Sequence, residues 1–373
     1  MAIERDGPMP ASDSAAGQRL VSLDLLRGLA VIGMIIVNEM AGMGGPVYPL
    51  LLHSHWGGLT IAYVVFPAFL FMVGVSIPLS FKRKEEADYS RILWRVLRLL
   101  LLGFILSNIF WLSNFSTGSW RLFGVLQRIG LVYGACAVMF LNLSQRTRLI
   151  VAAAILLLYW PLTYIPTLDG VPTDLWLRGR NFVGSVDRVL LGAGNHIYVP
   201  GAEGYDPEGL LGTFPAIAQG LIGVAVGEYM LSNRKRRPLW IAGAAMLAVG
   251  IAWGFVFPVV KDIWSSTFVL VTSGIALLVL LALGYGFDGK PMTGLRRVVE
   301  VIVLPFGMNA IAAYTLHEIA WSFLGWDLLQ MPYRHLKPVI GPQLASFVPV
   351  LLFLAFIWLC MFYLWRKRWL IRI

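Results

Sequence analysis

The sequence predicts an all-α fold: a polytopic membrane helix bundle of about ten transmembrane helices, both termini cytoplasmic. Three observations predict it. Of 373 residues, 58% are hydrophobic and 13% charged, with a mean hydropathy of +0.73, whereas soluble domains carry about 25% charged residues. Apolar runs of about 18–24 residues, long enough to cross a bilayer core as helices, recur along the whole chain. Lys and Arg are divided unevenly between alternate loops. Such a balance excludes a disordered chain, a disulfide-rich secreted domain and most soluble enzymes. A net charge of +10 would suggest nucleic-acid binding in a soluble protein. Here the cations sit in short loops between apolar runs, so topology accounts for them and no nucleic-acid partner is expected.

Residues 1–20 are polar and lack a basic start leading into an apolar run. They read as a cytoplasmic leader without fixed structure, not as a cleaved signal peptide. Residues 21–373 read as one transmembrane domain. Its spans are predicted near 22–41, 58–81, 93–112, 122–143, 147–166, 209–231, 238–258, 266–285, 298–325 and 344–365. With the N-terminus inside, the inner segments hold 21 of the 30 Lys and Arg and the outer ones 8, with Arg27 inside the first span. That asymmetry sets both termini inside and requires an even number of crossings. Two outer stretches stand out. Residues 42–57 are uncharged and rich in Gly, Pro and His, and 167–208, the longest hydrophilic segment, carries Asp169, Asp174, Asp187, Glu203, Asp206 and Glu208. Cys136 and Cys360 both lie in apolar segments, so neither a disulfide framework nor a zinc site is expected.

Ionisable groups inside a bilayer are costly unless paired or hydrated, and so mark candidate sites. Asp24 and Arg27 are three residues apart on one helix face and can pair. They form either an interfacial ion pair or the wall of an anion pocket. Asn38, beside Glu39, lies about 16 Å further along the same helix. A buried Asn either bonds a neighbouring helix or donates to an oxyanion. His53 and His55 enter the second span from outside. Imidazole suits general base work near neutral pH, and a chance pair of histidines is the plain alternative, with no further metal ligands in register. Gln127 and Arg128, just inside the fourth span, are a structural tie or an anion clamp. His317 and Glu318, near Asn309 in the ninth span, are a proton relay or a satisfied core pair.

Seven stretches, in order, carry a resemblance: SLDLLRGLAVIGMIIVN (22–38), HSHWGGLT (53–60), VFPAFLFMVGVSI (65–77), GVLQRIGLVY (124–133), DRVLLG (187–192), YDPEGLLGT (205–213) and MNAIAAYTLHE (308–318). Together they resemble the heparan-alpha-glucosaminide N-acetyltransferase family of multi-pass membrane acyltransferases, in its shorter bacterial form. The resemblance implies transfer of acetyl from cytoplasmic acetyl-CoA to the amino group of a terminal glucosamine across the membrane. For bacterial relatives the implied acceptor is free glucosamine or a short glycan, and the implied location is the cytoplasmic (inner) membrane. The family's active-site His precedes the Trp-x-Gly-Leu-Thr stretch by three residues, a position matched by His53, and its catalytic Asn is matched by Asn38. Arg27, Gln127 and Arg128 match further motif positions. The resemblance also suggests a homodimer. Where the family pattern has an Asp before Phe66-Pro67, this chain has Tyr63 and its first outer loop is longer, and no counterpart of the large lumenal domain of animal members is expected.

On this resemblance, Arg27, paired with Asp24, and Gln127–Arg128 are expected to bind acetyl-CoA by charge-assisted bonds. His53 is expected to take the amine proton and Asn38 to polarise the thioester carbonyl. A His53-acetyl intermediate is the competing route. Asp206 and Glu208 are expected to draw a cationic amino sugar to the outer mouth, or else to form a solvated turn. Trp56 is expected to stack on the sugar, or else to anchor the helix at the interface. His317, Glu318 and Asn309 complete the expected acceptor contacts, and no metal is expected. Two other functions suit the sequence: a sugar or glycan transporter, for which ten helices and intramembrane ionisable residues are apt, and O-acetylation of an envelope glycan.

Overall fold

The apolar runs fold as helices where the sequence places them. The computed structural model describes residues 2–5, 20–41, 48–52, 56–81, 88–109, 116–194, 196–232 and 235–372. Its helices are α1 (Val21–Ala41), α2 (Ile61–Phe81), α3 (Tyr89–Ser107), α4 (Val125–Asn142), α5 (Gln145–Thr163), α6 (Phe182–Asp187), α7 (Thr213–Leu231), α8 (Arg237–Trp253), α9 (Ser266–Phe287), α10 (Leu295–Met308), α11 (Ala310–Ile340) and α12 (Pro342–Arg366). Each predicted span coincides with one of these, or with the pair α10–α11. Among the described residues, seven helices (α1, α2, α4, α5, α7, α9 and α12) are long and apolar enough to cross a membrane, and an eighth crossing results if α10 and the start of α11 form one bent span. The other two predicted spans correspond to α3, which carries Arg91, Arg95 and Arg98, and to α8, which has 17 residues. The chain is a multi-pass, all-helical membrane protein with one short β-ribbon. In that ribbon β1 (Ala2–Arg5) pairs antiparallel with β2 (Trp369–Arg372). Four residues of the leader expected to lack structure are therefore in a strand, side by side with the other end of the chain.

The ninth predicted span is not one straight helix: α10 and α11 meet at a 77° bend. Pro305 has no N–H to give the carbonyl one turn back, and Trp358 Nε1 donates to that carbonyl, Val301 O, at 3.3 Å. At the bend, Asn309 grips the terminal strand. Its Nδ2 donates to Trp369 O at 3.1 Å, and its Oδ1 accepts from Ile371 N at 2.9 Å.

The helices gather into two compact units. The first contains α1, the opening turn of α2, the end of α9, α10, α11, α12 and the ribbon. Here α1 and α10 approach closely. A Cβ on Gly28 would lie 2.3 Å from Val303 O, and one on Gly307 would lie 1.8 Å from Asp24 O. The second unit contains the rest of α2, α3 to α8 and most of α9. Here α2 and α7 approach closely, where Gly74, Gly220, Gly223 and Gly227 let backbones touch; a Cβ on Gly223 would sit 2.2 Å from Phe71 O. Small residues at such spacing are how membrane helices gain packing without a hydrophobic driving force.

Candidate functional site

In the first unit, the last turns of α1 are the focus. Met40 packs with Tyr333, Ala345 and Val350, and Ile36, Leu51 and Leu52 close over the same cluster. The turn Pro49–Leu51 ends with Leu52 N donating to Pro49 O at 3.2 Å. The chain is thus laid against the end of α1 up to Leu52, the residue before His53. His53 and His55 lie outside the described residues. Asn38, one turn before the end of α1, is half-buried and has no hydrogen-bond partner among the described residues. Tyr63 is buried.

Glu39, next to Asn38, turns into the unit. Its Oε1 lies 3.5 Å from His317 Nε2, and His317 Nδ1 lies 3.5 Å from Glu318 Oε1. The Phe353 ring from α12 meets the imidazole edge-on at 5.8 Å. These are ion-pair distances without hydrogen-bond alignment: Glu39 Oε1 and both imidazole nitrogens are buried and lack an aligned partner among the described residues. The adjacent pair read from sequence is thus a trio with Glu39. Asn309 is not part of it, because its amide is committed to the terminal strand. At the other end of α1, Arg27 Nη1 pairs with Asp24 Oδ1 at 3.1 Å. Asp288 accepts from Ser22 N at 2.9 Å and Ser22 Oγ at 2.8 Å, satisfying a backbone N–H at the helix start.

In the second unit, the long hydrophilic segment is ordered around the half-buried Arg121 and the buried Arg128 and Arg188. Arg121 donates through Nε and Nη2 to Asp206, at 2.9 and 2.6 Å, and through Nη2 to Glu208 at 2.5 Å. Asp206 also accepts from Tyr198 N and Glu208 N. Arg128 is buried on α4, where it donates to Pro207 O at 2.8 Å and Gly209 O at 3.0 Å and stacks on Trp264 at 4.9 Å. Arg188 pairs with Asp169 and donates to Gly179 O and Gly204 O. Gln127 Nε2 donates to Leu122 O at 3.1 Å.

These contacts place several expected ligand-binding groups elsewhere. Asp206 and Glu208 do not form an open acidic mouth: both are buried and Arg121 bridges them. Trp56 is not an exposed sugar platform. It is buried among Tyr159, Leu175, Tyr205 and Phe257, donates Nε1 to Leu175 O at 2.8 Å, and meets Tyr205 edge-on at 5.6 Å. With Gly58 N bonded to Val259 O at 3.1 Å, the Trp56-Gly57-Gly58 stretch is anchored on both sides. Arg128 and Gln127 are tied to neighbouring backbone. Sequence reasoning missed Glu39 as partner of His317, Arg121 as the cation for Asp206 and Glu208, and the chain from Arg178 through the Tyr205 hydroxyl to Asp262 (2.5 and 2.6 Å). No local signal marks these partners, which lie far apart in the chain.

Burial raises the Asp187 carboxyl to about 7, opposed by bonds from Leu210 N and Asp206 N. Burial would also raise Glu208, but Arg121, Arg128 and Lys261 outweigh it and hold its carboxyl below the usual range. Asp187 binds its proton more tightly folded than unfolded, so its stabilisation is full below the ordinary aspartate pKa and is lost as pH rises through about 7. Glu208 has the opposite sign: its contribution is present above the ordinary glutamate pKa and is lost as pH falls through its lower folded value. Thermal stability is expected to be greatest on the acid side of neutrality, with Tm higher at about pH 5.5 than at about pH 8. Burial also raises the Asp262 carboxyl, a contribution of the same sign, so Asp187→Asn should reduce that difference without abolishing it; a melting series in which the variant keeps it in full would show that Asp187 is not a source of it.

Residues 19–254 match the family model described as heparan-alpha-glucosaminide N-acetyltransferase, catalytic. The chain belongs to the heparan-alpha-glucosaminide N-acetyltransferase family. The human heparan-alpha-glucosaminide N-acetyltransferase is 31% identical over 374 residues, covering 82% of this chain and 54% of that protein. The mouse protein of the same name is 28% identical over 382 residues, covering 84% and 55%. The chain therefore spans about half the length of the curated relatives it matches. Within the heparan-alpha-glucosaminide N-acetyltransferase family match fall Asp24, Arg27, Asn38, His53, Trp56, Gln127, Arg128, Asp206 and Glu208; the trio of Glu39, His317 and Glu318 reaches beyond it.

Proposed function

We propose that this chain is a transmembrane N-acetyltransferase of the bacterial cytoplasmic membrane. It moves acetyl from cytoplasmic acetyl-CoA to the amino group of glucosamine, free or at the end of a glycan, on the opposite side. About ten crossings with both termini on the acetyl-CoA side complete this reading, and the pairing of β1 with β2 supports a shared side for the two ends. The observation that carries it is the packing of Leu51 and Leu52 against the end of α1, which brings the chain leading into His53 to the turn that holds Asn38. Family membership supplies the acetyl-transfer chemistry.

In this reading the basic inner loops and Arg27 hold the anionic end of acetyl-CoA, and its pantetheine arm extends along α1 towards Asn38, about 16 Å away. Asn38 donates its amide N–H to the thioester oxygen as negative charge develops there. His53 removes a proton from the amine that attacks the carbonyl. Broken helices also occur at transporter binding sites, but the break at Asn309 is filled by the terminal strand, so the bend does not favour a transport reading.

The test uses purified full-length protein in liposomes with acetyl-CoA and a series of sugars, following free thiol and acetylated product. Glucosamine is expected to yield one N-acetylated sugar per thiol released, and N-acetylglucosamine and glucose none. Uptake of labelled sugar without acetyl-CoA would replace the reading with transport. An ester product from glucose would replace it with O-acetylation.

A further inference from the structure

Proton balance asks more of this site than one base. A glucosamine ammonium carries three N–H bonds and the product amide keeps one, so two protons leave the nitrogen in each turnover. As the N–C bond forms and the C–S bond breaks, one proton goes to the departing CoA sulfur, leaving a thiol. The other must be taken up and passed out of the site. If His53 shuttles a proton between amine and sulfur, a second acceptor is needed.

The trio on α1 and α11 has the features of that acceptor. Exposure of the side chains rises in one direction, from Glu39 at 1% through His317 at 3% to Glu318 at 28%. Glu39 is the residue next to Asn38. A purely structural buried ion pair is expected to be hydrogen-bonded throughout. Here Glu39 Oε1 and both nitrogens of His317 lack an aligned partner among the described residues, and their 3.5 Å separations are the long, unaligned contacts that catalytic groups commonly show without substrate and that tighten when it binds. Among the described residues, the groups facing His317 are Glu39 from α1, Glu318 from its own helix and the uncharged Phe353 ring from α12.

We propose that Glu39 and His317 take up the surplus proton of acetyl transfer and that Glu318 hands it to water. The proposal rests on the acetyltransferase reading above. Glu39 and His317 act as a relay behind the amine, with His53 remaining the base that acts on the attacking nitrogen.

The experiment measures kcat/KM for glucosamine across a pH series in wild type, Glu39→Gln, His317→Gln and Glu318→Gln, with Tm recorded for each. Near neutral pH, where the acceptor is an ammonium, Glu39→Gln and His317→Gln are expected to lose about 10²-fold. The loss should shrink steadily as pH rises past the pKa of the amine, because a neutral amine sheds only the proton that sulfur accepts. Glu318→Gln should show a smaller loss with the same pH dependence, and it keeps the test open should either buried variant fail to fold. A loss of equal size at every pH, or none, in an active background would overturn the relay and leave the acetyltransferase reading intact. A folded wild type that acetylates no amino sugar would overturn both.

Discussion

Replacing Asn38 by alanine is expected to lower kcat for acetyl transfer by about 10²–10³-fold, the usual cost of losing one oxyanion donor, while leaving Tm nearly unchanged. The two halves of this expectation come from different facts. Asn38 is half-buried and has no hydrogen-bond partner among the described residues, so its removal strands no buried group. An oxyanion donor acts when charge develops on the thioester oxygen, so KM for acetyl-CoA should move little. His53→Ala should abolish sugar-dependent thiol release, and the double variant should be no worse than His53→Ala, because residues that act in one step are not additive. Single-turnover kinetics with both substrates would decide the matter. A fall in Tm matching the fall in rate would instead make Asn38 a helix-packing residue.

The positions of the helices were legible because a bilayer imposes a length on every apolar run. The break at Asn309 was not, since a proline in a membrane helix is tolerated when other groups satisfy the freed carbonyl. Here that group is Trp358, and the Asn309 side chain at the bend is held by the terminal strand; both partners come from much later in the chain. The same distinction runs through the site. Asp24 with Arg27, and His317 with Glu318, pair through local spacing and could be read from it. Glu39 with His317, and Arg121 with Asp206 and Glu208, pair across the fold. Asp206, Glu208 and Trp56 looked like a ligand mouth because a polar segment between spans reads as solvated. The segment instead packs Leu175, Val183 and Tyr205 into a core shared with Trp56, Tyr159 and Phe257 from elsewhere in the chain, and Asp206 and Glu208 are buried with it. An acid held by a distant arginine and one offered to a substrate look alike in sequence, and only the distant partner distinguishes the two.

Arg121→Met is expected to be the most destabilising single change in the second unit. Arg121 is the cation shared by two buried carboxylates, through two bonds to Asp206 and one to Glu208. Removing one member of a buried charge cluster typically costs about 3–5 kcal/mol, because the remaining charges stay desolvated without compensation. A fall in Tm on the order of 10 °C is therefore expected. Arg121→Lys should recover only part of it, since an ammonium cannot reproduce the forked contact. The decisive variant is Arg121→Met with Asp206→Asn and Glu208→Gln. If stranded charge is the cause, neutralising both acids restores much of the stability, and Asn Oδ1 can still accept from Tyr198 N or Glu208 N. If the triple variant melts as low as Arg121→Met, the loss lies in packing, for which the guanidinium over the Tyr198 ring at 4.6 Å is the remaining contact. The triple variant also tests activity, because it removes both acids while Arg128 still holds residues 207 and 209. Acetyl transfer measured well below the variant's Tm should be retained if those acids are structural, and lost even there if they meet the sugar amine directly.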